Sequence, residues 1–143
     1  MSVPRRLSLR HIDGVYVLRQ EIVAPAIAGV PQANLHASTV PAAAKLELPG
    51  DRDFRLAIAD TEGRSLEIEL RGAQLLVSRR DPSLPGLDAV QSMQVQTTAE
   101  IAIWLDCGSL ELLADHGCAA LSVQHRLAGS SYALVCAVEP VAA

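Results

Sequence analysis

In the stretch "SLEIEL" (65–70), Leu66, Ile68 and Leu70 alternate strictly with Glu67 and Glu69. A period of two sends the aliphatic side chains to one face and the carboxylates to the other, the mark of a strand with one face buried. Short apolar-rich runs recur at 14–22, 44–48, 54–60, 73–79, 91–97, 100–106, 109–115, 118–125 and 131–137. Turn chemistry separates them: Asp13-Gly14, Pro49-Gly50-Asp51, Glu62-Gly63 and Arg71-Gly72. With strand spacings near ten residues and no long helical period, the pattern predicts an all-β antiparallel sandwich with essentially no helix. The Ala- and Pro-rich segment 24–44 reads as a connection carrying one irregular edge strand.

The stretch "IAIWLDCGSLELLADHG" (101–117) holds the only Trp and three carboxylates, Asp106, Glu111 and Asp115. If Cys107-Gly108 is a two-residue hairpin turn, Asp106 faces Ser109, Leu105 faces Leu110, Trp104 faces Glu111, Ile103 faces Leu112 and Ile101 faces Ala114. A second such turn at His116-Gly117 sets Leu112 against Leu121 and Leu110 against Val123. One register thus puts the aliphatic residues of three strands on a single face, and a slip of one residue would reverse them all. Trp104, Asp106 and Glu111 then look away from the core. Asp106 and Glu111 become diagonal neighbours, roughly 7–8 Å apart by sheet geometry, within the span of an inverting glycosidase pair. An acid catalyst also needs a pocket that raises its pKa. An open sheet face supplies none, so the expectation here is a solvated or partner-facing surface. An outward Trp104 favours protein contact, and with Tyr16 it is the aromatic candidate for a sugar-stacking site.

Charge and composition narrow the classes further. The 143 residues carry a formal net charge of −4 and only four aromatic side chains (one Trp, two Tyr, one Phe), which argues against nucleic-acid binding. Half the residues are hydrophobic, enough for a core without staples. No apolar run approaches a bilayer span, and no apolar stretch follows Arg5 and Arg6 as a signal peptide would require. As written the chain reads as cytoplasmic, with secretion open to a longer precursor. Three cysteines argue against a disulfide framework. Cys107 and Cys118 end opposite tips of one strand, about 20 Å apart, too far to share a metal. His11, His36 and His125 lack ligand spacing and read as surface or turn histidines, while Cys136 reads as a buried small apolar residue. No metal and no cofactor is expected.

Two stretches at opposite ends of the chain resemble a known family. Met1, Ser2, Pro4, Arg5, Leu7 and Leu9, then Asp13, Gly14, Leu18, Gln20 and Pro25, match the passage leading out of the catalytic domain of glycoside hydrolase family 32. That family comprises levanases, inulinases, invertases and sucrose-6-phosphate hydrolases. Ile101, Ile103, Leu105, Asp106, Ser109, Glu111, Asp115 and Gly117 match its late signature "L-x-I-[FY]-[VL]-D-x-S-S-V-E-V-F-x-N-D-G". Departures stand at Arg6, Cys107 and Leu113, where the family carries Glu, Arg and Phe. The resemblance covers nearly the whole chain but only the family's C-terminal β-sandwich. Family chemistry lies in a separate five-bladed propeller, with its nucleophile in "W-M-N-D-P-N-G", a stabilising Asp in "R-D-P" and its acid/base Glu in "E-C". Neither "N-D-P-N-G" nor "E-C" occurs here. Arg80-Asp81-Pro82 does, and beside Pro85-Gly86 it reads as a turn.

The resulting expectation is one domain over 1–143, a two-sheet antiparallel β-sandwich of jelly-roll or concanavalin-like kind. The resemblance implies a non-catalytic accessory module that stabilises a fructan- or sucrose-cleaving propeller, or mediates oligomerisation. The alternative is a free-standing carbohydrate (fructan)-binding module. Trp104, Glu111, Asp106 and Tyr16 are the candidate carbohydrate-binding or interface residues. The expected partner is a catalytic propeller or a second copy of the chain, with an oligosaccharide under the alternative; neither nucleic acid nor a membrane is expected. An enzyme acting through Asp106, Glu111 or Asp81 is the third reading, and no catalytic residue is assigned.

Overall fold

Twelve strands follow one another in the computed structural model, which describes residues 4–23, 29–96 and 100–138. They are β1 (Arg5–Ile12), β2 (Val15–Ile22), β3 (Thr39–Pro41), β4 (Ala44–Leu48), β5 (Phe54–Ala59) and β6 (Ser65–Arg71). The second half supplies β7 (Gln74–Arg80), β8 (Ala89–Gln94), β9 (Ile101–Asp106), β10 (Ser109–Ala114), β11 (Ala119–Gln124) and β12 (Ser131–Val138). Helical geometry among the described residues is confined to 3-10 turns at Pro85–Leu87 and Asp115–Gly117. A six-stranded sheet in the order β3-β12-β5-β6-β7-β8 packs against a four-stranded sheet, β11-β10-β9-β4, and every strand pair is antiparallel. The fold is the all-β sandwich that the alternation predicts, with β1 and β2 as an additional two-stranded sheet.

The interior is aliphatic because β4, β5, β6, β7, β9 and β12 alternate in phase with it. In β6, Leu66, Ile68 and Leu70 are buried and face Ile58, Leu56 and Phe54 of β5. Glu67 on the opposite face pairs with Arg55 at 2.7 Å. The last meander keeps the anticipated register: Asp106 opposite Ser109, Leu105 opposite Leu110, Trp104 opposite Glu111 and Ile103 opposite Leu112, then Leu112 opposite Leu121 and Leu110 opposite Val123. Ile103, Leu110 and Leu112 are fully buried in one cluster with Leu46, Leu56 and Ile68. At about 25 cal/mol per Å², such rows dominate the driving force for closing the sandwich. The edge strand expected within 24–44 is β3, and the strand expected at 91–97 is β8, at 89–94; residue 97 lies outside the described residues.

Residues 5–12, not anticipated as a strand, form β1 and pair with β2 along their whole length, from Arg5 opposite Ile22 to Ile12 opposite Val15. Asp13 and Gly14 close the hairpin with φ of 50° and 81°, both residues in the positive-φ region of a type I′ turn. The missed signal was the alternation of Leu7 and Leu9 ahead of this turn.

Candidate functional site

The hairpin of β1 and β2 lies over the outer face of the four-stranded sheet. This corrects the expectation of an open face around Trp104, Asp106 and Glu111. Glu111 is completely buried. Its carboxylate is ion-paired with the guanidinium of Arg5 and accepts a hydrogen bond from the Ser122 hydroxyl. Arg5 also donates to Ser122 Oγ at 2.7 Å and to Gln20 Oε1 at 2.6 Å. Burial pulls the Arg5 pKa down from its ordinary value. Arg5 Nε and Glu111 Oε1 find no hydrogen-bond partner among the described residues, so there the pair is compensated in charge but incompletely satisfied. A buried pair of this kind contributes little net stability yet is costly to break from one side.

Two further contacts fix the hairpin. Arg19 Nε donates to the His116 carbonyl at 3.0 Å. Gly117 has φ of +88°, and a Cβ built on it would stand 2.1 Å from the carbonyl oxygen of Gln20. Only glycine permits both that conformation and that approach. Asp115 and His116 share the positive-φ region, at 53° and 54°, so β10 ends at Ala114 and the turn is wider than a two-residue loop, with the register preserved. The Asp115 carboxylate accepts from the Gln96 backbone N–H at 2.9 Å.

The residues that carried the resemblance therefore meet at one seam. Arg5 and Gln20 from the first stretch touch Glu111 and Gly117 from the second, about a hundred positions away in sequence. At this seam the Glu111 carboxylate serves as an internal anchor rather than a group open to solvent. Asp106 shares its face of the sheet but is exposed, and accepts from the Cys107 N–H of its own turn at 2.7 Å. Trp104 is half-buried, with the Lys45 ammonium 5.0 Å from the ring centroid in a cation–π contact. It lines a depression with Gln20, Glu21 and Ile22 of β2. Tyr16 stands apart, near the hairpin tip, 72 % exposed and stacked obliquely on His11 at 5.0 Å.

The register of β1 and β2 gathers Leu7, Leu9, Tyr16 and Leu18 on one face, because directly paired residues project to the same side. All four are exposed, Leu9 by 69 %, whereas Ile12 and Val17 on the opposite face are half-buried. Arg5 and Gln20 share the face of Leu7 and Leu9, so the hairpin is clasped where β1 begins and β2 ends and offers its apolar strip further along, toward the tip.

Arg80-Asp81-Pro82 is a turn, as expected. Leu84 N–H reaches the Asp81 carbonyl at 3.0 Å, and Asp81 Oδ1 accepts from the Ser83 N–H and hydroxyl at 3.0 and 2.6 Å. The Ser83 hydroxyl leads in holding the Asp81 pKa below its ordinary value, against burial. His125 corrects its reading as a surface or turn histidine: it is buried. Leu127 N–H donates to Nδ1, so the Nε2 proton is the one given to the Asp106 carbonyl at 3.0 Å. Burial pushes its pKa down, opposed by that hydrogen bond. Cys136 is half-buried rather than buried, and burial raises its thiol pKa. Among the described residues no group of three His, Cys, Asp or Glu is arranged to hold a metal, and no helix is long and apolar enough to cross a membrane.

The fold defines a class: an antiparallel β-sandwich with a hairpin clasped to one sheet. Solved structures resemble the chain in fold, three of them as follows. A GH32 beta-fructofuranosidase of Bombyx mori superposes with a TM-score of 0.57 at 16 % identity, covering 91 % of this chain and 31 % of that one. A glycoside hydrolase family 32 protein from Bifidobacterium adolescentis gives 0.62 at 16 %, covering 96 % and 23 %. A beta-fructofuranosidase from Schwanniomyces occidentalis, complexed with fructosyl-erythritol, gives 0.62 at 14 %, covering 94 % and 36 %. No protein-family model and no curated relative matches the chain. The likeness is one of fold, and the chain spans about a quarter to a third of the length of these structures.

Proposed function

We propose that this chain is a non-catalytic β-sandwich accessory module of a fructan- or sucrose-cleaving glycoside hydrolase, seated against the catalytic propeller through the exposed apolar strip of its hairpin. The observation that carries the reading is the exposed strip of Leu7, Leu9, Tyr16 and Leu18 on an element rigidly clasped to the sandwich. Contiguous apolar surface of this kind marks interaction sites on monomeric folds. Likeness to only a minor part of three family 32 structures supports the same reading. So does the lack of "N-D-P-N-G" and "E-C" in these 143 residues, since glycoside hydrolysis needs its pair of carboxylates. A sugar platform on Trp104 is disfavoured, because Lys45 covers the ring.

Co-sedimentation tests this directly. The chain is expected to travel with a separately produced family 32 propeller from the same source, and Leu9→Glu is expected to abolish that. Sucrose and fructans should stay intact with the chain alone. Co-sedimentation indifferent to Leu9→Glu and Tyr16→Ser would remove the hairpin from the interface. A chain that pairs only with itself would replace the propeller by a second copy.

A further inference from the structure

The two sheets of the sandwich end in four edge strands, β3, β8, β4 and β11, and three of these are protected. β3 is only three residues long and ends at Pro41. β4 carries Lys45 and Glu47, and along its outer side Lys45 bonds to the Pro31 carbonyl and the Ala33 N–H. β11 lies beside the hairpin, where Arg5 reaches its Ser122 hydroxyl, and its Gln124 carbonyl accepts from Arg79 Nη1 at 2.9 Å. Short length, proline, charge and cover are the ordinary means of keeping an edge from pairing with another chain. β8, the last strand of the six-stranded sheet, has none of them. Its six residues, Ala89–Gln94, include no charge, no proline and no glycine. Val90 among them is 67 % exposed.

Hydrogen bonding fixes which groups of β8 look outward. The Val95 N–H donates to the Ala73 carbonyl at 2.8 Å, extending the β7–β8 ladder by one pair. Backbone groups along a strand point alternately to its two sides. Gln91 and Met93 therefore face β7, while Val90, Ser92 and Gln94 turn their N–H and C=O groups away from it. Gln96 has the same parity, and its outward N–H is taken by the Asp115 carboxylate at 2.9 Å. That contact closes the edge at one end. At the other stands Asp88, whose carboxylate accepts from the Asp81 N–H at 2.9 Å. Between them no described residue bonds to the outward backbone of Val90, Ser92 or Gln94. The side chains of these three are exposed on the outer face, since Met93, opposite buried Leu75, packs inward.

We propose that β8 pairs antiparallel with β8 of a second copy about a two-fold axis at Ser92, joining two six-stranded sheets into one. In this register Val90 faces Gln94 of the second copy, Ser92 faces its own equivalent, and the outward groups make about six hydrogen bonds. The neutrality of the strand selects this occupant. A two-fold axis sets the same patch against itself, so a charged edge repels its own copy, whereas Val, Gln and Ser side chains meet without like-charge contact. Asp115 at Gln96 stops the pairing from running further. So narrow an interface belongs with weak, transient associations. It is separate from the strip of Leu7, Leu9, Tyr16 and Leu18 and does not rest on a propeller.

Sedimentation equilibrium of the 143-residue chain is expected to show monomer and dimer in exchange, with Kd on the order of 10 μM. Amide hydrogen exchange reads the edge itself. Protection of Val90, Ser92 and Gln94 should rise with concentration, while Gln91 and Met93, bonded to β7, stay protected throughout. Ser92→Pro removes an outward N–H only, a change that edge strands tolerate, and should weaken dimerisation by about tenfold or more. Val90→Lys, a charge of the kind that guards natural edges, should weaken it about fivefold, and it serves equally if Ser92→Pro fails to fold. Leu9→Glu should leave the dimer intact. A chain still monomeric at about 1 mM would overturn the proposal. So would a dimer indifferent to Val90→Lys, a dimer lost with Leu9→Glu, or edge amides protected only by an added family 32 propeller.

Discussion

The two faces of the β9–β10–β11 meander are built on opposite principles. The inner face is a row of aliphatic side chains, Ile103, Leu105, Leu110, Leu112, Leu121 and Val123, all buried against the six-stranded sheet. The outer face carries Trp104, Glu111 and Ser122, and the hairpin over it is anchored through the guanidinium groups of Arg5 and Arg19. Inside, many interchangeable contacts each contribute a little, and none names a particular partner. Outside, a handful of directional contacts decides where the hairpin sits. Burial is therefore achieved twice in one sheet, once by non-directional packing and once by a polar clasp.

Substitutions should separate the two faces by mechanism. Leu112→Ala on the inner side should be the most damaging, costing about 3–4 kcal/mol by lost transfer energy and the cavity left behind. Urea unfolding monitored by Trp104 fluorescence would measure it. A loss under about 1 kcal/mol would mean that the core collapses freely onto the gap. On the outer side, Glu111→Ala should cost somewhat less, about 3 kcal/mol, because Arg5 is left buried without its counter-charge. Joining it to Arg5→Leu should recover much of that loss, whereas two independent sites would simply add. Limited proteolysis in the hairpin would show whether Glu111→Ala releases this element alone.

The smallest effect concerns pH and the far end of the sandwich. His125 is held neutral in the folded state, with its pKa pulled below the ordinary value of 6.5 by burial. Below that ordinary value the unfolded chain takes up the proton more readily, so stability falls as pH drops beneath 6.5 and levels off above it. Thermal unfolding between pH 5 and pH 8 should show this slope, and His125→Gln should flatten it. The carboxylates with depressed pKa, among them Asp60 and Asp81, lose their contribution only when pH falls below the ordinary carboxylate range, near 3.8. The histidine window is thus separable from acid unfolding.

The comparison also explains what was legible beforehand. The register of the last meander could be read from 101–123 because a one-residue slip would have sent six aliphatic side chains into water. The same alternation identified β5, β6 and β7. The first strand escaped notice for the converse reason: its apolar residues, Leu7 and Leu9, stay exposed, and its anchoring contact is made by Arg5. The alternation of Leu7 and Leu9 marks a strand, but only the ion pair of Arg5 says where that strand docks. Asp81 was legible as a turn residue but not as part of a pocket lining, since Arg64 and Arg126 reach it from the turn before β6 and the segment after β11.

Local alternation and turn chemistry by themselves determined the all-β class, the order of most strands and which side of each one is dry, because those follow from a period of two and from short loops. Tertiary structure alone decided that, of the three acids of the late signature, Asp106 is exposed, Asp115 half-buried and Glu111 fully buried. It alone decided that Gly117 must make room for Gln20, and that four arginines converge where two sheets end. Those outcomes depend on groups up to about a hundred residues apart arriving within hydrogen-bond reach, and no local pattern encodes such a distance.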